Sequence, residues 1–143
     1  MSAKDPEEMT DVLDVHVFGL PVPQARPRAF KTPTGQIRLY DPANCKDWKR
    51  TVLAQVLEHR PAAPVEGPLR MDLVFDLPRP KSAPKRVRHP TSRPDLDNLL
   101  KAIKDALRGV IYRDDSQIVA LTATKKYGPA PGVSIRVAHV VAQ

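Results

Sequence analysis

Residues 69–77 read LRMDLVFDL, the clearest strand pattern in the chain. Apolar side chains take every second position, and polar side chains take most of the positions between them. A period of two indicates a β-strand that buries one face in the core. We therefore predict a strand here, with the rest of the chain arranged around it.

Two helical patterns flank this strand in the chain. Before it, a helix over about residues 45–58 is predicted by a stripe of apolar residues at helical spacing, with Asn44 as its N-cap. Three basic residues lie off that stripe and are expected to face solvent or a partner: Lys46, Lys49 and Arg50. After the strand, a second amphipathic helix is predicted over about residues 95–108, and Gly109 is placed to end it.

Shorter alternating segments complete the pattern. Strands are predicted over residues 13–18, 36–40, 117–126 and 133–141, and the last two are expected to pair as a hairpin. The proline-rich residues 21–33 are expected to form a loop or a sheet edge, because proline cannot donate to a central ladder. The order β-β-α-β-α-β-β predicts an α+β fold, a single small domain with a mixed or antiparallel sheet and two main helices.

Composition bounds the class of protein. The chain has 143 residues, a net charge of +7 and a single cysteine, so one domain without an internal disulfide is expected. Residues 1–12 are predicted to form a flexible acidic tail ahead of a domain over residues 13–143. No stretch is apolar enough to span a membrane and the start lacks a signal-peptide pattern, so we expect a cytoplasmic protein with no membrane partner.

The basic charge predicts a polyanionic partner. Residues 15–143 carry 22 Lys and Arg against 11 Asp and Glu, which favours nucleic acid over a role in solubility alone. Residues 78–93 hold six basic residues and no acidic one, so an exposed loop that contacts phosphates is favoured over a plain linker. Candidate DNA-binding residues come from this loop and from the proline-rich segment: Arg79, Lys81, Lys85, Arg86, Arg88, Arg93, Arg26, Arg28 and Lys31.

Two pairs of carboxylates are the candidate reaction centre. Asp95 and Asp97 begin the second helix, and Asp114 and Asp115 lie in the turn after it. Carboxylate oxygens suit Mg²⁺, and such an ion can ready water for attack on phosphorus. Each pair alone is more typical of helix capping or turn chemistry. Together, in an otherwise basic body, they favour a metal site, since bare anions would repel a phosphate backbone.

Lys101 lies four residues after Asp97 on the same helical face. It could stabilise negative charge in a transition state, or form a salt bridge with Asp97 or Asp105, and spacing alone favours the salt bridge. Other chemistries lack their motifs. The chain has no phosphate-binding glycine loop and no dinucleotide fingerprint, so no organic cofactor is expected. Its aromatic residues are not clustered in the sequence, which disfavours a base-stacking platform.

Three stretches carry a specific combination of residues. Residues 93–102 read RPDLDNLLKA, residues 109–118 read GVIYRDDSQI, and residues 19–28 read GLPVPQARPR. Together these stretches resemble the RusA family of Holliday-junction resolvases, over about residues 13–141. The resemblance implies a small α+β homodimer that cuts four-way DNA junctions in recombination and repair. It also implies Mg²⁺ as cofactor, with Mn²⁺ as an alternative ion.

The resemblance also assigns roles by motif position. Three acids match the family's essential carboxylates, which hold the metal: Asp95, Asp97 and Asp115. Asp114 matches a neighbouring acid of the same metal set. Lys101 matches the catalytic lysine, which reverses the salt-bridge preference. Residues 78–93 match a loop that contacts the junction, but they lack the aromatic residues that some members place there.

Two other functions stay open at this point. The chain could be a non-catalytic DNA-binding protein whose acids are structural. It could also be a metal-dependent nuclease that acts on other branched DNA or on RNA. Symmetric cutting of a four-way junction favours a dimer, because a two-fold dimer presents two identical sites to a two-fold junction.

Overall fold

A computed structural model describes residues 10–140. Within them lie two α-helices, six β-strands and two short 3₁₀ turns, at Leu57–His59 and Asp115–Gln117. The helices are α1 (Ala43–Val56) and α2 (Leu96–Leu107). The strands are β1 (Thr10–Phe18), β2 (Arg28–Lys31), β3 (Ile37–Tyr40), β4 (Leu69–Leu77), β5 (Ile118–Tyr127) and β6 (Gly132–His139).

The strand predicted most clearly, β4, lies inside a four-stranded sheet of order β1-β6-β4-β5. β4 pairs parallel with β5 and antiparallel with β6, and β1 pairs antiparallel with β6. The sheet is therefore mixed, and the predicted α+β class with two main helices is confirmed. β4, α2 and β5 form one βαβ unit, in which α2 returns the chain so that both strands run the same way.

The predicted hairpin between the last two strands is wrong. β4 lies between β5 and β6, so those two strands are sequential in the chain but not neighbours in the sheet. The reason is the burial of β4, whose alternate residues are buried and whose other residues are half-buried. β5 and β6 each bond to one side of β4, so its buried backbone groups are paired on both sides.

The proline-rich segment contains a strand that the sequence did not separate from its loop. β2 pairs antiparallel with β3 in a two-stranded sheet of its own, and the order becomes β-β-β-α-β-α-β-β. Pro27 and Pro33 flank β2 without entering it, so its ladder stays intact. The expectation of a loop or sheet edge over residues 21–33 is confirmed, because residues 21–27 form a loop and β2 is an edge strand with β3 as its one neighbour in the described structure.

The core lies between one face of the large sheet and the two helices. β4 contributes Leu69, Met71 and Phe75, which have no exposed surface. The predicted apolar stripes of both helices pack against this face: Trp48, Val52 and Val56 from α1, and Leu99, Ile103 and Leu107 from α2. Cys45 of the predicted stripe is also buried, but its thiol contacts the backbone of Pro23 and Ala25. Full burial contributes about 1.5–3 kcal/mol for each large side chain. This packing fixes α2, which carries much of the candidate site.

The ends of the elements differ in detail from expectation. α1 begins at Ala43, so Asn44 lies inside the helix and Pro42 takes the N-cap position, which makes the predicted N-cap wrong. Gly109 has a φ of +83° just after α2, as a helix-ending glycine requires. β1 begins at Thr10, so residues 10–12 of the predicted tail belong to the sheet. Residues 1–9 and 141–143 lie outside the described residues.

Among residues 10–140, none of the helices has the length and apolar character that a bilayer crossing requires.

Candidate active site

An open cleft of about 860 Å³ runs along the exposed side of α2. Its walls come from the segment before β2, the residue after β3, α2 and the 3₁₀ turn after α2. On α2, Asn98, Lys101 and Asp105 lie three and four residues apart, so one helical face points them into the same space. The full lining is Gln24, Ala25, Arg26, Pro27, Asp41, Asn98, Lys101, Lys104, Asp105 and Asp115.

Asp115 is the acid in this cleft with an unsatisfied oxygen. Its Oδ1 is buried and has no hydrogen-bond partner among the described residues, and its Oδ2 lies 3.8 Å from a nitrogen of Arg108. The nearby Tyr112 hydroxyl donates its one proton to the carbonyl of Lys104 at 2.8 Å. Burial, followed by the charge of Asp115, raises the pKa of Tyr112 far above its usual value. Carboxylate oxygens are the ligands that hard divalent cations prefer, so Asp115 on the wall of the cleft is a candidate ligand.

Asp114 has a different role from its neighbour. It caps the 3₁₀ turn by accepting hydrogen bonds from the backbone N–H and the hydroxyl of Ser116. Gln117 accepts from the Asp114 backbone N–H at 3.0 Å, which completes a capping box. The hydroxyl of Ser116, followed by its backbone N–H, lowers the pKa of Asp114 below its usual value. The side chain is thus committed to its own turn, which leaves Asp115 free to face the cleft.

Asp95 and Asp97 do not join Asp115 in one cluster. Asp95 is exposed at the N-cap of α2 and lines an adjoining cleft together with Asn98. Asp97 is exposed in the first turn, where it accepts a hydrogen bond from the Asn98 backbone N–H at 3.0 Å. Within residues 10–140, no three His, Cys, Asp or Glu residues are grouped as ligands of a metal ion. The two clefts share Asn98, so Asp95 and Asp115 border adjoining clefts, while Asp97 lines neither of them.

Lys101 is exposed on the wall of the cleft. Neither salt bridge that its spacing offered is present, and in the described part of the chain Lys101 makes no ion pair. Asp105 pairs with Lys49 and Arg108 instead. The ammonium group of Lys101 is therefore available to a phosphate that enters the cleft.

A chain of alternating charges supports the floor of the cleft. Lys49 contacts Asp41 at 2.7 Å and Asp105 at 2.5 Å, and Arg108 continues from Asp105 towards Asp115. The Lys49 hydrogen bond lowers the pKa of Asp41 below its usual value. Burial acts to lower the pKa of Lys49, but the two carboxylates outweigh it and raise that pKa. The expectation that Lys49 faces solvent or a partner is wrong, because its side chain is 14% exposed.

Sequence reasoning did not place three of these residues in the site. It named Asp105 only as a possible salt-bridge partner of Lys101, four residues away on the same face of α2. Asp41 and Lys49 carry no such signal. Their contact depends on the turn between β3 and α1, and the contact of Lys49 with Asp105 depends on how the two helices pack.

The basic loop contains neither helix nor strand over residues 78–93, as predicted. Arg79 is turned inward, where it donates to the carbonyls of Pro84 and Val87 at 2.6 Å and stacks over the ring of Tyr127. Its guanidinium holds the loop together, so it is not free to contact DNA as the other basic residues are. Five other basic residues of the loop are exposed: Lys81, Lys85, Arg86, Arg88 and Arg93.

The other predicted DNA-binding residues lie at and beyond the cleft. Arg26 lines the cleft itself. Arg28 and Lys31 are exposed on β2.

Residues 19–138 match the family model described as endodeoxyribonuclease RusA. The chain belongs to the RusA endodeoxyribonuclease family. This RusA-family chain is 38% identical over 142 residues to the uncharacterized protein YqaN of Bacillus subtilis (strain 168), covering 92% of this chain and 99% of that protein. It is 30% identical over 116 residues to the crossover junction endodeoxyribonuclease rusA of Lactococcus phage r1t, covering 79% of this chain and 86% of that protein. The chain is therefore an endodeoxyribonuclease.

Proposed function

We propose that this RusA-family endodeoxyribonuclease resolves four-way DNA junctions by paired symmetric nicks, in recombination and repair. The observation that carries the proposal is one cleft lined by both Asp115 and Lys101, where, among residues 10–140, Asp115 Oδ1 has no hydrogen-bond partner and Lys101 has no ion pair. The phage relative whose printed name is crossover junction endodeoxyribonuclease supports the choice of junction DNA over other substrates.

A divalent cation, Mg²⁺ with Mn²⁺ as an alternative, belongs to the proposal. The buried Oδ1 of Asp115 is a hard oxygen donor without a partner among the described residues, so it fits such an ion. Asp95, on the wall of the adjoining cleft, and Asp97, exposed in the first turn of α2, are the further carboxylates that would hold it, and Asp114 stays with its turn. When bound, the cation supplies a polarised water and charge neutralisation at phosphorus.

The basic side chains in and around the cleft bind the DNA backbone and stabilise charge. Lys101 holds a non-bridging oxygen of the scissile phosphate and stabilises the charge that develops there. Arg26, on the opposite wall, contacts the adjacent backbone. The exposed Lys and Arg side chains of residues 78–93 hold the arms of the junction through the DNA phosphates, which carry little sequence information. A homodimer would place two such clefts on the two strands of like polarity.

The test uses a synthetic four-way junction and a linear duplex of matched sequence, each with and without Mg²⁺. We expect paired nicks at symmetric positions of the junction, only with Mg²⁺, and their loss in Asp97→Asn. The exposed Asp47 offers a control, because Asp47→Asn removes the same charge at a residue that lines neither cleft. Binding without nicks in any divalent metal would favour a non-catalytic protein. Equal cutting of the duplex would favour a nuclease of broader substrate.

A further inference from the structure

The β2–β3 hairpin stands apart from the core. Its strands pair only with each other in the described structure, and all eight strand residues are exposed. A two-stranded hairpin is marginally stable in water unless something packs on it. Four of its side chains are nevertheless large and apolar or aromatic: Phe30, Ile37, Leu39 and Tyr40. An exposed apolar surface of this kind is typical of a binding site.

The register of the hairpin sorts these side chains onto two faces. Arg28 pairs with Tyr40 and Phe30 pairs with Arg38, so these four side chains share one face. The rings of Phe30 and Tyr40 lie 5.6 Å apart, centre to centre, at 66° to each other. They remain 48% and 39% exposed. Strand pairing therefore brings together two rings that are ten residues apart and not clustered in the sequence.

The position and charge of this aromatic–arginine face point to one occupant. Arg26 and Pro27, directly before β2, and Asp41, directly after β3, line the active-site cleft. The hairpin therefore rises from the rim of that cleft. Residues 24–40 contain four basic side chains and no acidic one, which complements a phosphate backbone.

We infer that the aromatic–arginine face (Arg28, Phe30, Arg38 and Tyr40) stacks on bases exposed at the branch point of a DNA junction. The inference rests on the proposed function and adds a source of structure selectivity to it. A paired duplex presents no free base faces, whereas bases at a crossover have lost a stacking neighbour. Aromatic rings bind such faces without regard to sequence, and the two arginines contact the flanking phosphates.

The experiment compares the binding of a four-way junction with that of a linear duplex, with EDTA present so that the strands stay intact. The junction carries 2-aminopurine at its branch point, and the full chain is tested as wild type, Phe30→Leu and Tyr40→Leu. Each variant should bind the junction about 5- to 150-fold more weakly and lose the fluorescence change of the probe, with duplex affinity unchanged. Tyr40→Phe keeps a ring and should bind as wild type does.

A matched control comes from Phe18, a 62% exposed aromatic on β1. Phe18→Leu should leave both affinities and the probe signal unchanged. Equal weakening of junction and duplex binding in the ring variants would overturn the inference. It would also be overturned if wild type sediments as a dimer and Phe30→Leu as a monomer, because the hairpin would then be a subunit contact. If wild type cuts no junction, the proposed function fails and takes the inference with it. If wild type cuts junctions while both ring variants keep full junction preference, the inference alone fails.

Discussion

Replacing Lys49 with methionine tests whether the charge chain under the cleft holds the protein together. Lys49→Met keeps an unbranched stem of similar length and removes only the ammonium group. That group makes two hydrogen bonds to carboxylates, at 2.7 Å to Asp41 and 2.5 Å to Asp105. The substitution leaves Asp41 with a hydrogen bond from Gln24 at 3.2 Å and Asp105 with its Arg108 contact.

The exposure of the partners sets the size of the effect. A hydrogen bond to a charged group contributes about 1.5–3 kcal/mol, and the Asp41 side chain is only 26% exposed. Asp105 is 37% exposed, so solvent screening reduces its share to less than about 1 kcal/mol. We expect Lys49→Met to lower the free energy of unfolding by about 2 kcal/mol at neutral pH, or roughly 6 °C in Tm.

The loss should depend on pH in a defined direction. Because the folded pKa of Asp41 is below 3.8, its contribution is present above pH 3.8 and disappears as the pH falls through the folded pKa. The raised pKa of Lys49 keeps its contribution present below pH 10.5 and removes it at still higher pH. The gap between wild type and Lys49→Met should therefore be full from about pH 5 to pH 9 and close at acid pH.

Urea denaturation followed by the fluorescence of Trp48 measures this gap, because Trp48 is the single tryptophan and is buried. Lys46→Met provides the control, since Lys46 is exposed on the same helix and carries the same charge. An equal loss in Lys46→Met, or a gap that persists unchanged to pH 3, would refute the reasoning.

Three further outcomes are expected. Gly132→Ala should destabilise the fold by at least about 1–3 kcal/mol in urea, since its Cβ would lie 2.4 Å from the carbonyl oxygen of Val17; unchanged stability would contradict the strand pairing. Lys85→Ala should reduce the salt slope of junction binding by about 1, and an unchanged slope would remove this lysine from the DNA contacts. Lys101→Met should slow cleavage roughly 100- to 1,000-fold without changing the urea midpoint, and a parallel loss of stability would indicate a structural role.

Local periodicity was sufficient for the elements of the core. The strand at residues 69–77 and the helix that ends before Gly109 follow from spacing that one buried face imposes. Strand order did not follow, because the position of β4 between β5 and β6 depends on burial across the whole sheet. β2 was hidden by its flanking prolines, which mark a loop in the sequence but leave four residues free to pair.

The candidate site likewise contains residues that the sequence predicts and residues that depend on tertiary contacts. Asp115 and Lys101 were predicted from motif and resemblance, and the structure places both on one cleft. Asp95 and Asp97 were predicted as their companions, yet Asp95 lines the adjoining cleft and Asp97 is exposed outside both clefts. Asp41 and Lys49, and the pair of Phe30 and Tyr40, depend on contacts between separate segments. No spacing within one segment can reveal such contacts.

The most direct measurement of the central claim is the paired determination of cleavage and stability in Asp115→Asn. The variant keeps the shape of the side chain and removes the charge from an oxygen that has no partner in the described structure. Cleavage of a four-way junction in Mg²⁺ should disappear, while the free energy of unfolding stays within about 0.5 kcal/mol of wild type or rises. Junction cleavage at the wild-type rate by a folded Asp115→Asn protein would contradict the account.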